Sequence, residues 1–402
     1  MGTHKSPGTL AKLLLVAGSL MFSLAVGELA LRLLLPAPTD YCVWLPSRTY
    51  RFEPDPAIMP GVHGPSECFV NSSGLRGDEL PSDSTYRILT VGGSTTECLY
   101  LDQSENWPAL LQQKLNASHP AHRVWVGNAG RSGLTTREHL LQLEHLLTPA
   151  RRIQCVVLLV GFNDLNLRLS QDADYDPHFL EKPEAGAQLL RRAFLLAPPD
   201  ARLPFHRRTA IWRLLRQAKE RYLRQRQTQE KQTQDRTGSI YVTWRQHRRA
   251  APRLREALPD LASALDEYSR NLNRLIDLAQ SKSVRLVFAT QPALWKAGLP
   301  KGAADLCWLG GVGDFQERSG QEYYAIATLA TALRKYNEVL LKVCQERRVE
   351  CVDLATLLPK DTTIFYDDCH FNENGAARVA DALFQFMATR PPFQPPPRGA
   401  AN

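Results

Sequence analysis

From Tyr86 onward, short apolar runs alternate with longer amphipathic stretches, and this alternation restricts the fold more than any other feature of the sequence. The run at 153–161 is apolar except for Gln154, as expected of a strand that is covered on both faces. Strands that alternate with helices form a parallel sheet with helices on both of its faces. The sequence therefore predicts an α/β domain with five strands, at 86–91, 123–127, 153–161, 284–290 and 349–354.

Four polar segments are predicted to meet at one edge of this sheet. In an open parallel sheet, ligands bind outside the carboxyl ends of the strands. Three of the segments follow the first three strands, and the fourth precedes the last helix. They are GGS at 92–94, GNAGRSG at 127–133, GFND at 161–164 and YDDCHFNENG at 366–375. Together they supply a hydroxyl, an imidazole, two acids, a carboxamide and glycine amides, which is the set of groups that acyl transfer requires.

A serine hydroxyl becomes a good nucleophile when a neighbouring imidazole takes its proton, and the imidazole needs a carboxylate to fix its tautomer. Ser94 is the predicted nucleophile and His370 the predicted base. The residues alone leave Asp367 and Asp368 as alternatives for the carboxylate. A simpler interpretation of His370 is a surface histidine with a hydrogen-bond partner.

Preorganised N–H donors must stabilise the oxyanion of the tetrahedral intermediate. The predicted donors are the amides of Ser94 and Gly133 and the side chain of Asn163. Each has a simpler interpretation. Ser94 could cap the following helix, Asn163 and Asp164 could form a turn, and Gly130 and Gly133 could serve turn geometry alone.

The four segments, in this chain order, resemble the Ser, Gly, Asn and His blocks of the SGNH (GDSL-type) hydrolase family. The family's usual Asp before the serine is Gly93 here, and Phe371 replaces a frequent proline. The family places its carboxylate three residues before the histidine, which selects Asp367 as the partner of His370. The resemblance implies a three-layer α/β/α, flavodoxin-like fold and a serine ester hydrolase with Ser94 as its nucleophile.

Residues 1–36 are predicted to form a signal anchor. The uncharged run at 13–27 continues with further apolar residues to Leu35. Its 23 residues are enough to cross roughly 30 Å of hydrocarbon. Glu28 and Arg32, spaced i,i+4, can pair on one helical face and reach toward the membrane interface.

A cleaved signal peptide is the alternative, because residues 25–27, AVG, resemble a small-residue cleavage site. Both interpretations leave Lys5 and Lys12 inside and the bulk of the chain outside the cytoplasm. The segment VNSSGLRGDE at 70–79 resembles the lead-in of membrane-anchored bacterial members of the family. The resemblance therefore implies a periplasmic or cell-surface domain, with secretion as the alternative.

The other segments are predicted from composition. Residues 37–85, rich in Pro, Gly and Ser, are expected to form an extended lead-in with turns. The hydrolase domain is expected at 86–390, with a basic helical insert at about 165–252. The Pro-rich tail at 391–402 is expected to be disordered.

The positive charge of the chain belongs to the insert. Between Arg191 and Arg255 there are 18 Lys and Arg against 4 Asp and Glu, whereas the formal net charge of the whole chain is only +8. The helix at 209–227 could pack on the domain with a solvated basic face, or lie against anionic lipid headgroups. Nucleic acid is not an expected partner, because an exported chain rarely meets it.

No cofactor and no metal are predicted, because the eight cysteines form no CxxC pair and no cofactor motif is present. GNAGRSG has the wrong glycine spacing for a dinucleotide-binding loop. Cysteines in an exported chain can form disulfides, and a bridge between Cys98 and Cys369 would join two of the polar segments. The sequence does not indicate an oligomeric state.

The predicted function is an extracytoplasmic serine esterase that cleaves O-acyl groups, with O-acetyl groups of an envelope glycan as the favoured substrate. An O-acyltransferase that modifies a polysaccharide would use the same site, because water and a sugar hydroxyl attack the same acyl-enzyme. A lipase-like enzyme is a further alternative if the insert binds lipid. A non-catalytic glycan-binding scaffold would share the fold, but it would not need Ser94, Asp367 and His370 together.

Overall fold

The computed structural model of the chain describes residues 8–34, 40–83, 85–120, 123–198, 205–224 and 234–394. They divide into two compact units. The smaller unit contains residues 1–40 and 197–227, and the larger unit contains residues 41–196 and 228–402.

The helices and strands are numbered in chain order. The strands are β1 (Arg48–Phe52), β2 (Ser66–Val70), β3 (Tyr86–Gly92), β4 (Val124–Asn128), β5 (Cys155–Leu159), β6 (Leu254–Arg255), β7 (Arg285–Ala289), β8 (Tyr323–Tyr324) and β9 (Glu350–Val352). The α-helices are α1 (Thr9–Leu34), α2 (Ser94–Glu97), α3 (Trp107–Ser118), α4 (Thr136–Leu146), α5 (Phe162–Gln171), α6 (Ala185–Ala193), α7 (Ala210–Arg224), α8 (Ser239–Arg249), α9 (Ala262–Ser281), α10 (Lys301–Ala304), α11 (Ile326–Arg347), α12 (Leu354–Leu357) and α13 (Glu373–Ala388). Short 3₁₀ helices lie at Asp172–Asp174, Phe179–Glu181 and Phe205–Arg208.

A five-stranded parallel sheet forms the centre of the larger unit, and it confirms the predicted fold class. Its strand order is β4-β3-β5-β7-β9. Counted along the chain this is the order 2-1-3-4-5 of flavodoxin-like folds, in which ligands bind where the strand order reverses. That reversal lies between β3 and β5. Every residue of β5 is buried, as its continuous apolar run predicted.

Helices cover both faces of the sheet. The connection from β3 to β4 and that from β4 to β5 run in opposite directions across the sheet, so right-handed crossovers place α3 and α4 on opposite faces. On one face α3 packs against α13, and on the other α9 packs against both α4 and α11. The carboxyl ends of β3 and β5 lead directly into the segments that carry Ser94 and Asn163.

The lead-in segment is part of the folded unit. β1 and β2 pair antiparallel, and residue 76 then forms isolated bridges with both Val70 and Asn128. The Arg76 side chain is buried. The sequence indicated the turns of this segment but not the two strands, because the Pro and Gly residues around them obscure the short alternating pattern of β2.

Parts of the predicted insert and tail belong to the core of the larger unit. On α8, Tyr241 and Trp244 are buried, so the insert contributes to the core in addition to its basic surface. Phe393, within the tail predicted to be disordered, is buried and packs against Tyr86 with ring centroids 5.4 Å apart. The tail is therefore ordered at its start because an aromatic side chain fixes it; residues 395–402 lie outside the described residues.

The smaller unit contains α1 and α7. Within α1, Lys12–Leu34 forms an apolar stretch of 23 residues with a mean hydropathy of 2.0 and no buried positions, long enough to cross a membrane. The predicted pair is present, with Arg32 Nε 2.7 Å from Glu28 Oε1. Glu28 also accepts hydrogen bonds from the backbone amides of Ala210 and Ile211, at 2.7 and 3.0 Å. Its carboxylate therefore caps the first turn of α7.

Candidate active site

Ser94 begins α2 directly after β3, at the strand-order reversal. The helix-capping interpretation is wrong, because Gly93 occupies the N-cap position and no side chain caps this helix. The Ser94 hydroxyl instead lies 2.7 Å from Nε2 of His370. His370 comes from the segment before α13, 276 residues away in the chain. The fold thus brings together two of the predicted site residues.

Asp367 is the carboxylate that contacts the imidazole. Its Oδ2 lies 2.6 Å from Nδ1 of His370, and its Oδ1 accepts from the amides of Cys369 and His370 at 3.0 and 2.8 Å. The indole N–H of Trp308 donates to Oδ2 at 2.9 Å. Burial alone would raise the pKa of Asp367, but the charge of His370 and these hydrogen bonds hold it below its ordinary value. Asp367 is therefore an anion that orients the imidazole.

Asp368 has a different place in the site. Its carboxylate accepts from the indole N–H of Trp295 and the amide of Trp308, both at 2.7 Å, and from the amide of Leu309 at 3.1 Å. Burial, and then the neighbouring charge of Asp367, raise the pKa of Asp368. Asp368 thus fixes the segment that carries Trp308, and the choice of Asp367 as the partner of His370 agrees with the geometry.

Asn163 lies in the first turn of α5, after β5, and faces the same pocket as Ser94. Its Nδ2 donates to the carbonyl of Leu134 at 2.8 Å, which leaves its second N–H for another acceptor. A Cβ atom at residue 93 would lie 2.3 Å from this nitrogen. Glycine in place of the family's usual Asp therefore makes room for the Asn163 amide beside the nucleophile.

Gly133 is exposed and has a φ of +74°, a conformation that glycine adopts without strain. Its carbonyl accepts a hydrogen bond from Arg192 at 3.0 Å. Its neighbour Leu134 lines the pocket of Ser94, whereas Gly133 is not among the described residues that line it. Gly130 has another role than turn geometry, since a Cβ there would lie 2.3 Å from the backbone nitrogen of Glu97. It allows the loop after β4 to pack closely against α2.

The pocket beside Ser94 is small. Its cavity of about 10 Å³ has room for roughly one water molecule. Its lining residues are Gly93, Ser94, Thr95, Leu134, His139, Leu159, Val160, Gly161, Phe162, Asn163 and Gln291.

Several residues that contact the site were missed by the sequence analysis. Trp308 donates to Asp367 as described above. The ring of Tyr366 stacks on His370 with centroids 5.5 Å apart, and the ring of Tyr241 lies 6.1 Å from it, edge-on. Tyr366 precedes Asp367 directly and could have been noticed. Tyr241 lies on α8, in a segment whose basic composition suggested a surface, and Trp308 comes from a long connection between α10 and β8. Only the three-dimensional fold reveals that both contact the site.

The described residues contain one group of three potential metal ligands, formed by Asp367, Cys369 and His370, whose ligand atoms lie within 4.8 Å of one another. Four N–H groups already surround the Asp367 carboxylate. Burial raises the pKa of the Cys369 thiol well above its ordinary value, so the thiolate that a metal prefers is disfavoured. The group fits a proton relay better than a metal site.

All eight cysteines are among the described residues, and each is a free thiol. The bridge considered between Cys98 and Cys369 is therefore absent. Cys98 Sγ instead contacts the Thr95 carbonyl at 3.3 Å, and Cys369 Sγ lies 4.0 Å from Nδ1 of His370. Both thiols are buried.

A serine–imidazole–carboxylate chain at the reversal point of a flavodoxin-like sheet is the arrangement of a serine hydrolase. The model of the GDSL-like lipase/acylhydrolase family matches residues 90–378. The chain belongs to this family and is a serine ester hydrolase. No curated protein matches its sequence.

The solved structures that match the chain include the following three. The acetylxylan esterase Axe2 from Geobacillus stearothermophilus is 14% identical, with 75% of this chain and 93% of Axe2 covered and a TM-score of 0.39. LAE5, an α/β hydrolase from the metagenome of Lake Arreo, is 13% identical, with 75% and 94% covered and a TM-score of 0.38. A lipolytic protein of the G-D-S-L family from Veillonella parvula is 13% identical, with 76% and 100% covered and a TM-score of 0.38.

Proposed function

We propose that this protein removes small O-acyl groups, O-acetyl groups above all, from an envelope glycan, as a membrane-tethered esterase with its active site outside the cytoplasm. Ser94 is the nucleophile, His370 the general base and Asp367 the residue that orients it. The observation that carries the proposal is the hydrogen-bond chain from Ser94 Oγ through His370 to Asp367, at 2.7 and 2.6 Å.

The reaction proceeds through an acyl-enzyme. Ser94 Oγ attacks the acyl carbon while His370 Nε2 takes the hydroxyl proton. The bond to the alcohol oxygen then breaks, and His370 returns the proton to that oxygen. A water molecule repeats both steps on the acyl-enzyme, which releases the carboxylic acid and restores the Ser94 hydroxyl. In both acylation and deacylation, the oxyanion accepts hydrogen bonds from the backbone amides of Ser94 and Gly133 and from the side chain of Asn163.

The size of the pocket supports a small acyl group. A methyl group occupies about the space of one water molecule, and the cavity beside Ser94 has a volume of about 10 Å³. Phe162 and Leu134 border it, so longer chains would have to displace packed side chains. We expect 4-nitrophenyl acetate to be cleaved with a kcat/KM roughly 10-fold or more above that of the octanoate.

The esterase activity is tested with Ser94→Ala on the acetyl ester and on a panel of acetylated oligosaccharides. Ser94→Ala should abolish turnover while the protein stays folded, and Asn163→Ala should lower kcat on the order of 10²-fold or more. Ser263→Ala, an exposed serine on α9, is the matched control and should retain full activity. Undiminished activity in Ser94→Ala would disprove the assignment.

The location is supported by the smaller unit. α1 is long and apolar enough to cross a membrane, and Glu28, just beyond its uncharged run, caps the start of α7. α7 therefore begins near the level at which α1 would leave the hydrocarbon. Exposed Trp212 and Leu215 on α7 alternate with basic residues, which is typical of helices that bind anionic lipid headgroups.

A further inference from the structure

Glu97 connects the nucleophile turn to the loop that carries Gly133. It is the last residue of α2, three positions after Ser94, and its side chain is only 2% exposed. Its carboxylate accepts a short hydrogen bond from the hydroxyl of Ser132. Ser132 directly precedes Gly133, whose amide is a proposed oxyanion donor. One buried side chain thus joins the two segments that supply the backbone amides of the oxyanion site.

The base of this loop is already fixed by its backbone. Gly130 packs so closely that a Cβ there would lie 2.3 Å from the Glu97 nitrogen. Asn128 Nδ2 donates to the carbonyl of Thr96 at 2.7 Å, and Asn128 Oδ1 accepts from the Gly130 amide at 2.8 Å. The next amide along the loop, that of Arg131, donates to the carbonyl of Gly92 at 3.1 Å. Ser132 follows, and its hydroxyl contacts the Glu97 carboxylate at the end of α2.

Arg76 does not take the place of Ser132 as hydrogen-bond donor to the Glu97 carboxylate. Its guanidinium donates to the backbone carbonyls of Glu97 and Cys98, both at 2.7 Å, and to that of Leu101 at 2.6 Å. It also contacts Gln103 Oε1 at 3.1 Å. The Arg76 side chain thus holds the chain after α2, while the Glu97 carboxylate is left to hold the Ser132 hydroxyl.

The charges around Glu97 keep it near the point of titration. Burial raises its pKa to about 7, against the hydrogen bonds of Ser132 and the positive charges of Arg131 and Arg76. The remaining titratable groups that sense its charge are Cys68, Cys98, Tyr100 and His370, whose pKa values the carboxylate raises. The contact with Ser132 exists in both protonation states, because a protonated carboxyl can donate as well as accept.

We propose that Glu97 is a positioning residue for ester hydrolysis, which holds Ser132 so that the amides of Gly133 and Ser94 point at the same oxyanion. This inference rests on the proposed function, because it requires Gly133 to donate in the transition state. Arg192 donates to the carbonyl of Gly133 at 3.0 Å. Because the Arg192 side chain is exposed, we expect this contact to hold the loop less firmly than the buried Glu97 does.

The test compares Glu97→Ala, Ser132→Ala, the double variant and Glu97→Gln in the full-length protein, with 4-nitrophenyl acetate as substrate. Each single alanine variant should lower kcat about 10-fold with KM within about twofold, because a misplaced donor weakens only the transition state. The double variant should lose no more than either single variant, since both remove one contact. Glu97→Gln preserves shape and hydrogen bonding and should recover most of the activity.

Glu338→Ala is the matched control, because Glu338 is exposed on α11 and pairs with Arg334 on the surface. It should leave kcat unchanged. The inference is overturned if Ser132→Ala keeps its full kcat, or if the losses in kcat of the two single alanine variants are additive in the double variant. It is also overturned if the kcat of Glu97→Gln is no higher than that of Glu97→Ala. Ser132 is partly exposed, so its variant decides the question even if Glu97→Ala does not fold. A wild-type protein without esterase activity, or an active Ser94→Ala, would instead refute the proposed function.

Discussion

His370 has a raised pKa although it is buried. Burial alone would lower the pKa of an imidazole, but the adjacent Asp367 charge and its hydrogen bond outweigh this effect, and Asp368 and Glu97 add to it. A base must be neutral to accept the Ser94 proton. If His370 is the general base as proposed, we expect esterase activity to be lost as the pH falls through a His370 pKa that lies above the ordinary 6.5, which a pH profile of kcat/KM would measure.

Replacing the Asp367 carboxylate should shift the pH at which activity is lost on the acidic side. In Asp367→Asn the main cause of the raised pKa is removed, so the acidic limb of the kcat/KM profile should move to lower pH. At the same time kcat should fall by roughly 10³-fold or more, because the tautomer is no longer fixed. Asp381→Asn, which alters a surface pair with Lys114, should change neither property. A limb that stays in place in Asp367→Asn would contradict the role given to Asp367.

Trp308 is expected to stabilise the fold through its hydrogen bond to the Asp367 carboxylate. Trp308→Phe removes an N–H donor from a buried anion and should lower the free energy of unfolding by about 1.5–3 kcal/mol at neutral pH. The pKa of Asp367 is depressed in the folded state, so this stability is present above the unfolded pKa and lost as the pH falls through the folded one. Urea titrations at neutral and acidic pH measure the difference.

Trp125→Phe is the comparison for that experiment. Trp125 is also buried, but its indole N–H donates to the neutral carbonyl of Asp78 at 3.0 Å. Trp125→Phe should lower the free energy of unfolding by less, about 1 kcal/mol. This loss should not depend on pH in the range where Asp367 titrates. Equal, pH-independent losses in both variants would show that Trp308 acts by packing alone.

The close packing of the loop after β4 against α2 depends on Gly130. Gly130→Ala places a Cβ 2.3 Å from the backbone nitrogen of Glu97, and backbone cannot move aside as a flexible side chain can. We expect a loss of about 1–3 kcal/mol in the free energy of unfolding, measured by thermal or urea denaturation. Gly186→Ala on α6 has open space around it and should be neutral or slightly stabilising; equal effects would refute the argument.

The sequence predicted the central elements well because their physical signals are local. Five apolar runs gave five parallel strands, and the polar residues after β3 and β5 lie where the strand order reverses. β1 and β2 were missed because their pairing is non-local and their surroundings are rich in Pro and Gly. Tyr241 was missed for another reason: α8 belongs to a segment whose basic composition suggested a surface, yet its inner side is buried.

For the site, residue types pointed to Ser94, His370 and Asp367, which the fold joins by hydrogen bonds, but other contacts between distant segments could not be predicted. Ser94, His370 and Asp367 have chemistry that the sequence itself suggests. Trp308 gives no such indication in the sequence, and its role appears only in the fold, where its indole N–H lies 2.9 Å from Asp367 Oδ2. Likewise the reason for Gly93 lies in Asn163, whose side chain occupies the space of a Cβ.

For the whole molecule, the proposed anchor makes a prediction about partitioning. The full-length protein should sediment with membranes and resist extraction at alkaline pH, because α1 contains a stretch of 23 residues that is long and apolar enough to cross the hydrocarbon. Phe22→Lys places a charge in the middle of that helix, at a cost of about 2.5–3.5 kcal/mol, and should increase the extractable fraction. Lys219→Gln on α7 is the control, because it also changes a charge but lies outside α1, and it should leave the extractable fraction unchanged. Recovery of the wild-type protein in the soluble fraction would favour a cleaved signal.

The eight free thiols make this chain sensitive to oxidation while it folds. Seven are buried and Cys351 is half-buried; for Cys98 and Cys155, burial raises the pKa to about 12, so the folded protein contains little reactive thiolate. In the oxidising compartment that the proposed location implies, an unfolded chain would lack this protection. There we expect a slow-folding variant to be lost through disulfides between the wrong cysteines, as oxidised polymer rather than as folded, inactive enzyme.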